Sequence, residues 1–198
     1  MNGPNIEVEV KAPVNDLDEV GRTLRGMGAL KLNSETQYDE YYDHPCKSYQ
    51  ATDEAVRIRR RIPAHTTKAA KTEPRPIIEM TYKGPRVDPK SKSRTEISLP
   101  VTDSESARLF LEHLGFRHVG TITKRRVFYE VGDATVSLDD VEGVGLFIEI
   151  EKIVTSRSEV EEARDGLLVL MNELGLDPNT SIRDSYLEMF LRKRPPSN

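Results

Sequence analysis

Strands that carry charges of both signs on one face and apolar residues on the other are what most constrain this chain. In Ile6-Glu7-Val8-Glu9-Val10-Lys11 the two kinds of residue alternate strictly. An extended backbone here puts Ile6, Val8 and Val10 on one face and Glu7, Glu9 and Lys11 on the other. The pattern recurs along the chain. Arg57, Arg59 and Arg61 stand opposite Val56, Ile58 and Ile62, and Glu79 shares a charged face with Lys83. Arg94 and Glu96 oppose Ile97 and Leu99; Lys124 and Arg126 oppose Val127 and Tyr129. Asp139 opposes Leu138, and Glu149 and Glu151 oppose Ile148 and Ile150. Such faces have two uses. They form a solvated exterior, or the sheet closes and they line a wet interior that holds a highly charged ligand.

Composition narrows the ligand. The 198 residues suit one sizeable domain, read here as 1–198 with a core of about 5–191. Hydrophobic content is 36% against 31% charged, so apolar surface has to be used economically. A net charge of −4 argues against broad coating of nucleic acid, and basic clusters on that background suit a compact anion. The single cysteine, Cys46, excludes an internal disulfide and a multi-cysteine zinc site. The histidines lack metal-ligand spacing, so a metal here is expected on carboxylates, which favours Mg²⁺ or Mn²⁺. With no signal segment and no apolar run of transmembrane length, the expectation is a cytoplasmic protein without a membrane partner.

Eight strands are expected, at 5–12, 36–43, 55–62, 77–83, 93–99, 121–131, 133–140 and 146–154. Helices are expected over 15–27, 104–114, 157–174 and 183–192, from apolar residues recurring on one stripe and from glycines at 28, 115 and 175 that stop them. The stretches 63–76 and 84–93 read as long basic hairpin loops, and 192–198 as a frayed tail. Leu24-x-x-Met27-Gly28 and Leu111-x-x-Leu114-Gly115 echo each other and hint at two related halves.

The amphipathic helices need an apolar surface, and the strands supply one. Helices outside leave the charged faces turned toward each other. The expected fold is therefore α+β: an eight-stranded antiparallel barrel with a charged interior, closed so that no strand edge is exposed. Inward charges need partners or a ligand, because removing a charge from water costs several kcal/mol, on the order of a whole buried contact. An inert, salt-bridged interior would meet that need but serve no packing purpose. Arginine forks and lysine ammonium groups converging on one space suit a polyphosphate. The pairs Glu7-x-Glu9 and Glu149-x-Glu151 each hold two carboxylates roughly 6–7 Å apart on one strand face. A divalent cation between carboxylate and phosphate resolves their repulsion, which points to metal-assisted chemistry on a phosphate chain.

These residues, in order and spacing, resemble the CYTH superfamily, the triphosphate tunnel metalloenzymes. The likeness rests on Glu7-Val-Glu9-Val-Lys11, Tyr41-Tyr42-Asp43, Asp53 to Arg59, Tyr82-Lys83-Gly84-Pro85 and Arg94-Thr95-Glu96. It continues through Lys124-Arg125-Arg126, Leu138-Asp139, Gly145 to Glu151 and Ser185-Tyr186-Leu187. The chain looks closest to the class IV adenylyl cyclase-like branch. It departs at the N-terminus, where Met1-Asn-Gly-Pro-Asn5 replaces the His-Phe pair that often precedes the ExExK motif.

The resemblance implies that Lys11, Arg57, Arg59, Lys83, Lys124 and Arg126 grip the phosphates. It gives Glu7, Glu9, Glu149 and Glu151 catalytic and metal-binding work, with Asp139 beside them, and makes Glu79, Arg94 and Glu96 supporting tunnel residues. Tyr42 and Tyr186 are read as structural. The implied substrate is ATP, cyclised to cyclic AMP and pyrophosphate. Hydrolysis of tripolyphosphate or thiamine triphosphate is the alternative, and a non-catalytic polyphosphate binder comes third. The oligomeric state is open, with a homodimer the form considered.

Overall fold

The structure is a computed structural model, described here for residues 6–64, 75–87 and 93–193. Eight strands form one closed antiparallel sheet: β1 (Ile6–Pro13), β2 (Leu30–Asp43), β3 (Ala55–Pro63), β4 (Ile77–Arg86), β5 (Arg94–Pro100), β6 (Arg117–Val131), β7 (Ala134–Val141) and β8 (Gly145–Val154). Around the barrel they run β1-β5-β4-β3-β2-β6-β7-β8. Hairpin neighbours are thus joined by three long-range pairings, β2 with β6, β1 with β8, and β1 with β5. The second of these runs from Ile6↔Val154 to Pro13↔Phe147.

Five helices accompany the sheet: α1 (Leu17–Gly26), α2 (Tyr49–Thr52), α3 (Ser104–His113), α4 (Val160–Glu173) and α5 (Tyr186–Lys193). Asp16 and Asp103 cap α1 and α3 through side-chain bonds to backbone N–H groups of the first turn. Gly28 and Gly115 end them with φ of 84° and 86°, a left-handed turn that residues with a Cβ adopt reluctantly. The echo between the two halves is therefore a repeated helix-stop followed by a strand.

Period-two alternation decides which side of each strand meets a helix. Val8, Val10, Val136, Leu138, Ile148 and Ile150 pack outward against Leu24 of α1 and against Leu167 and Met171 of α4. Val56, Ile58 and Ile78 pack under Ala107 and Leu111 of α3. Burying a side chain of this size contributes roughly 1.5–3 kcal/mol, so these two clusters anchor the barrel wall from outside and leave its inner face to polar groups.

The structure corrects several expectations. β2 begins at Leu30 rather than 36, because residues 30–34 pair with β6 beyond the end of β3. β6 begins at Arg117 rather than 121, because its first residues pair with Tyr41, Tyr42 and Asp43 of β2. The one-turn α2, capped by the Ser48 hydroxyl, was not expected. Gly84-Pro85-Arg86 belong to β4, not to a loop. The expected loop residues 65–74 and 88–92, and the tail beyond Lys193, lie outside the described residues. α5 does not lie on an apolar outer face. It crosses one end of the barrel, where Tyr186 joins Tyr41 and Phe147 in a plug. No helix among the described residues is long and apolar enough to cross a membrane.

Candidate active site

The barrel encloses a cavity of about 810 Å³. Glu7, Glu9, Arg57, Arg59, Glu79, Lys83, Arg94, Glu96, Lys124, Arg126, Glu149 and Glu151 all line it, so residues from β1, β3, β4, β5, β6 and β8 meet in one space. Lys11 and Asp139 do not open onto it. Both are fully buried in the wall.

The interior is polarised. On the β1–β8 side carboxylates gather, with Glu9 directly opposite Glu151 in the ladder and Glu7 one step along β1. Burial pushes the Glu151 carboxyl up to about 8, reinforced by Glu7, Glu9 and Glu149 against the opposing pull of Arg126. Burial also raises Glu7, with Lys83 pulling the other way and Glu96 and Glu9 adding to the rise. Carboxylates crowded until they resist ionisation form a donor set that a hard divalent cation relieves. Among the described residues no three potential ligands enclose a cation unaided. The set fits a metal that also takes oxygens from phosphate and water, which is how Mg²⁺ is usually held.

Opposite stand the cations of β3 and β6. Arg57 is 6% exposed, and its Nε has no hydrogen-bond partner among the described residues. An orphaned buried donor is costly, and an anionic oxygen entering the cavity would satisfy it. Lys124 is pulled down to about 8 by burial and by Arg126, with Asp139 opposing and Arg59 reinforcing. Two like charges held this close lower each other's protonation and are relieved by a bound anion. Lys83 bonds Glu96 and lies 3.9 Å from Glu7, which places it between the two walls. Arg94 points instead to Asp53, donating to its backbone oxygen at 3.4 Å.

Sequence reading missed the acids that hold the cations in place. Asp39 accepts from Arg59 Nε and Nη2 at 2.6 and 2.7 Å and lies 3.7 Å from Arg57. Burial opposes ionisation of Asp39, yet Arg59 and Arg57 hold its carboxyl well below the usual range. Glu35 holds Arg61 in place, accepting from it at 2.8 and 3.1 Å, and also takes the Gln37 amide at 2.5 Å. The signal was present, since Glu35, Gln37 and Asp39 alternate on the inner face of β2.

Asp139 sits behind the cationic wall. It accepts from Arg126 Nε at 2.6 Å and Nη2 at 2.5 Å, and from the Tyr186 hydroxyl at 2.7 Å, with Lys124 Nζ 3.7 Å away. Arg126 also bonds Glu149. Lys11 donates to the Asp184 carbonyl at 2.5 Å and lies 4.2 Å from the centre of the Tyr186 ring. Lys124 lies 5.0 Å from the same ring. Tyr186 thus does more than pack: it covers two lysines and orients a buried carboxylate at the end of the cavity.

Three comparisons bear on this geometry. A model of the CYTH domain matches residues 5–186. A Methanocaldococcus jannaschii protein whose name proposes an adenylate cyclase is 34% identical over 184 residues, covering 93% of this chain and 98% of that protein. Adenylate cyclase CyaB of Aeromonas hydrophila is 30% identical over 171 residues, covering 86% and 81%. Among solved structures, a Pyrococcus horikoshii protein superposes with a TM-score of 0.84 at 38% identity, covering 95% of this chain and 99% of that one.

Proposed function

The chain belongs to the CYTH family, and from that premise we propose that it is a divalent-metal-dependent enzyme that cyclises ATP to cyclic AMP and pyrophosphate. The observation that carries the reading is the polarised interior: crowded carboxylates on β1 and β8 face cations on β3 and β6, one of which, Arg57, keeps an orphaned donor. A neutral or singly charged ligand would leave that field unbalanced; a triphosphate with a divalent cation matches both walls. The names of the two relatives at 30% identity or more favour cyclisation among the reactions such a site supports.

Arg57, Arg59, Lys83, Lys124 and Arg126 bind and orient the phosphate chain, with Asp39 and Asp139 fixing the arginine forks. Glu7, Glu9, Glu149 and Glu151 are the residues that would hold Mg²⁺ or Mn²⁺. When bound, such an ion supplies Lewis-acid stabilisation of the charge that develops on the phosphate oxygens. The ribose 3′-oxygen attacks the α-phosphorus, its proton passes to a carboxylate of the acidic wall, and the bond to the bridging oxygen breaks to release pyrophosphate. The basic wall stabilises the charge on the leaving group.

Hydrolysis is the second reading, because the same grip serves water as nucleophile and the N-terminal segment lacks the His-Phe pair. Incubation with ATP or tripolyphosphate and Mg²⁺ or Mn²⁺, followed by chromatography, separates the two. Cyclic AMP with equimolar pyrophosphate is expected. Phosphate from tripolyphosphate without cyclic AMP from ATP would replace cyclisation by hydrolysis.

A further inference from the structure

The cavity wall carries two orphaned groups of opposite kind. One is a donor, the Arg57 Nε. The other is an acceptor. Gln37 of β2 lines the cavity and is 1% exposed, and its Oε1 has no hydrogen-bond partner among the described residues. The orientation of this amide is not free. Both Glu35 oxygens accept from Arg61, at 2.8 and 3.1 Å, so Glu35 offers Gln37 an acceptor. Nε2 is therefore the atom that turns toward Glu35, at 2.5 Å, and the carbonyl oxygen is the end left over.

An acceptor is out of place here. In the ladders Gln37 lies directly across from Arg61 of β3 and from Lys124 of β6, with Arg59 and Arg126 one inward position further along. It is the uncharged centre of the basic wall. The neighbouring donors are turned elsewhere: Arg61 to Glu35, Arg59 to Asp39, and Lys124 toward Asp139 at 3.7 Å. A buried acceptor left open is costly, and phosphate does not relieve it, because phosphate oxygens are acceptors too. An incoming anion answers Arg57. Gln37 needs a donor, and water in a polar cavity of about 810 Å³ supplies one.

Resting on the triphosphate reading above, we propose that Gln37 positions a water for attack on the terminal phosphorus of a phosphate chain held by Lys124 and Arg59, so that this site hydrolyses as well as cyclises. The water donates to Oε1, which turns an oxygen lone pair toward the phosphorus. Side-chain amides orient the attacking water in other phosphoryl-transfer sites. An amide takes up no proton, so Gln37 is a positioning residue and not a base. With tripolyphosphate, the water oxygen bonds to the terminal phosphorus and the bond to the bridging oxygen breaks. One water proton stays on the orthophosphate and the other goes to the released diphosphate.

The test uses the full chain with Mg²⁺, tripolyphosphate, and its uncleavable bis-methylene analogue. The wild type should release orthophosphate and diphosphate in equal amounts. Gln37→Met is close in size but lacks the acceptor. It should lower kcat by about ten- to a hundredfold, while KM and the calorimetric Kd for the analogue stay within about twofold of wild type. Gln37→Glu, whose carboxyl keeps both a donor for Glu35 and an acceptor for the water, should recover most of the lost rate. Three results would overturn the role of Gln37: an unchanged kcat in Gln37→Met, analogue binding weakened as much as turnover is slowed, or no recovery in Gln37→Glu. A wild type that binds the analogue but leaves tripolyphosphate uncleaved also overturns it, with the triphosphate reading still standing. A wild type that does not bind the analogue overturns both together.

Discussion

Asp139→Asn isolates the role of the buried carboxylate. Asp139 is fully buried and takes three hydrogen bonds, two from Arg126 and one from Tyr186. The amide keeps the shape but removes the negative charge, and one of its two polar atoms now donates toward a guanidinium. Among the described residues Arg126, 5% exposed, is left with Glu149 as its acidic partner within bonding distance. Breaking a buried pair on one side costs about 3–5 kcal/mol, and the surviving Glu149 contact places this case near the lower end. For a chain of this length each kcal/mol shifts the melting temperature by about 2–4 °C, so a fall of about 6–12 °C is expected. Urea denaturation at pH 7 gives the free energy, provided the slope is unchanged between variants. The double variant Asp139→Asn/Arg126→Met removes the uncompensated cation and should recover more than about 1 kcal/mol relative to the sum of the single changes. A loss below about 1 kcal/mol for Asp139→Asn alone, with no coupling in the double variant, would refute the assignment of Asp139 as the counter-charge that fixes Arg126.

Other expectations are more direct. Turnover of any triphosphate should stop in excess chelator and return with Mg²⁺ or Mn²⁺, as measured by product chromatography; full activity in chelator would remove the metal role of Glu7, Glu9, Glu149 and Glu151. Tripolyphosphate at about a hundred times its dissociation constant should stabilise the fold by roughly 2.7 kcal/mol in thermal melts, and an equal shift with orthophosphate at the same concentration would argue against a site for a phosphate chain. Lys124 has a folded pKa of about 8 against an ordinary 10.5. The unfolded chain therefore binds more protons between these values, and stability should rise with pH across that window by up to about 3 kcal/mol. Lys124→Met should flatten that rise; an unchanged pH–stability curve would show that Lys124 is not held under strain.

Alternation made much of this protein legible before any contact was seen. Because successive strand residues face opposite sides, Glu7, Glu9, Arg57, Arg59, Lys124, Arg126, Glu149 and Glu151 were bound to share one surface if their segments were strands at all. Amphipathic helices then required the apolar faces to lie outside, which turned the charges inward and closed the barrel. The same rule covers Glu35, Gln37 and Asp39, but Glu35 lies before the strand expected at 36–43, and nothing in alternation alone marks Gln37 and Asp39 as partners of the arginines.

What the sequence could not determine was which charge answers which. Asp139 looked equivalent to Glu149 and Glu151 by alternation. Its separate place comes from the β6–β7 register that sets it directly across from Arg126, and from Tyr186, which arrives 47 residues later on α5. Lys11 shares its strand face with Glu9, yet α5 crosses the barrel end over it and takes it out of the cavity. Local periodicity fixes the side on which a residue lies, because that depends only on backbone geometry. Its partner, its exposure to the cavity and its charge state depend on strands and helices brought together from distant parts of the chain, and those were decided only when the barrel closed.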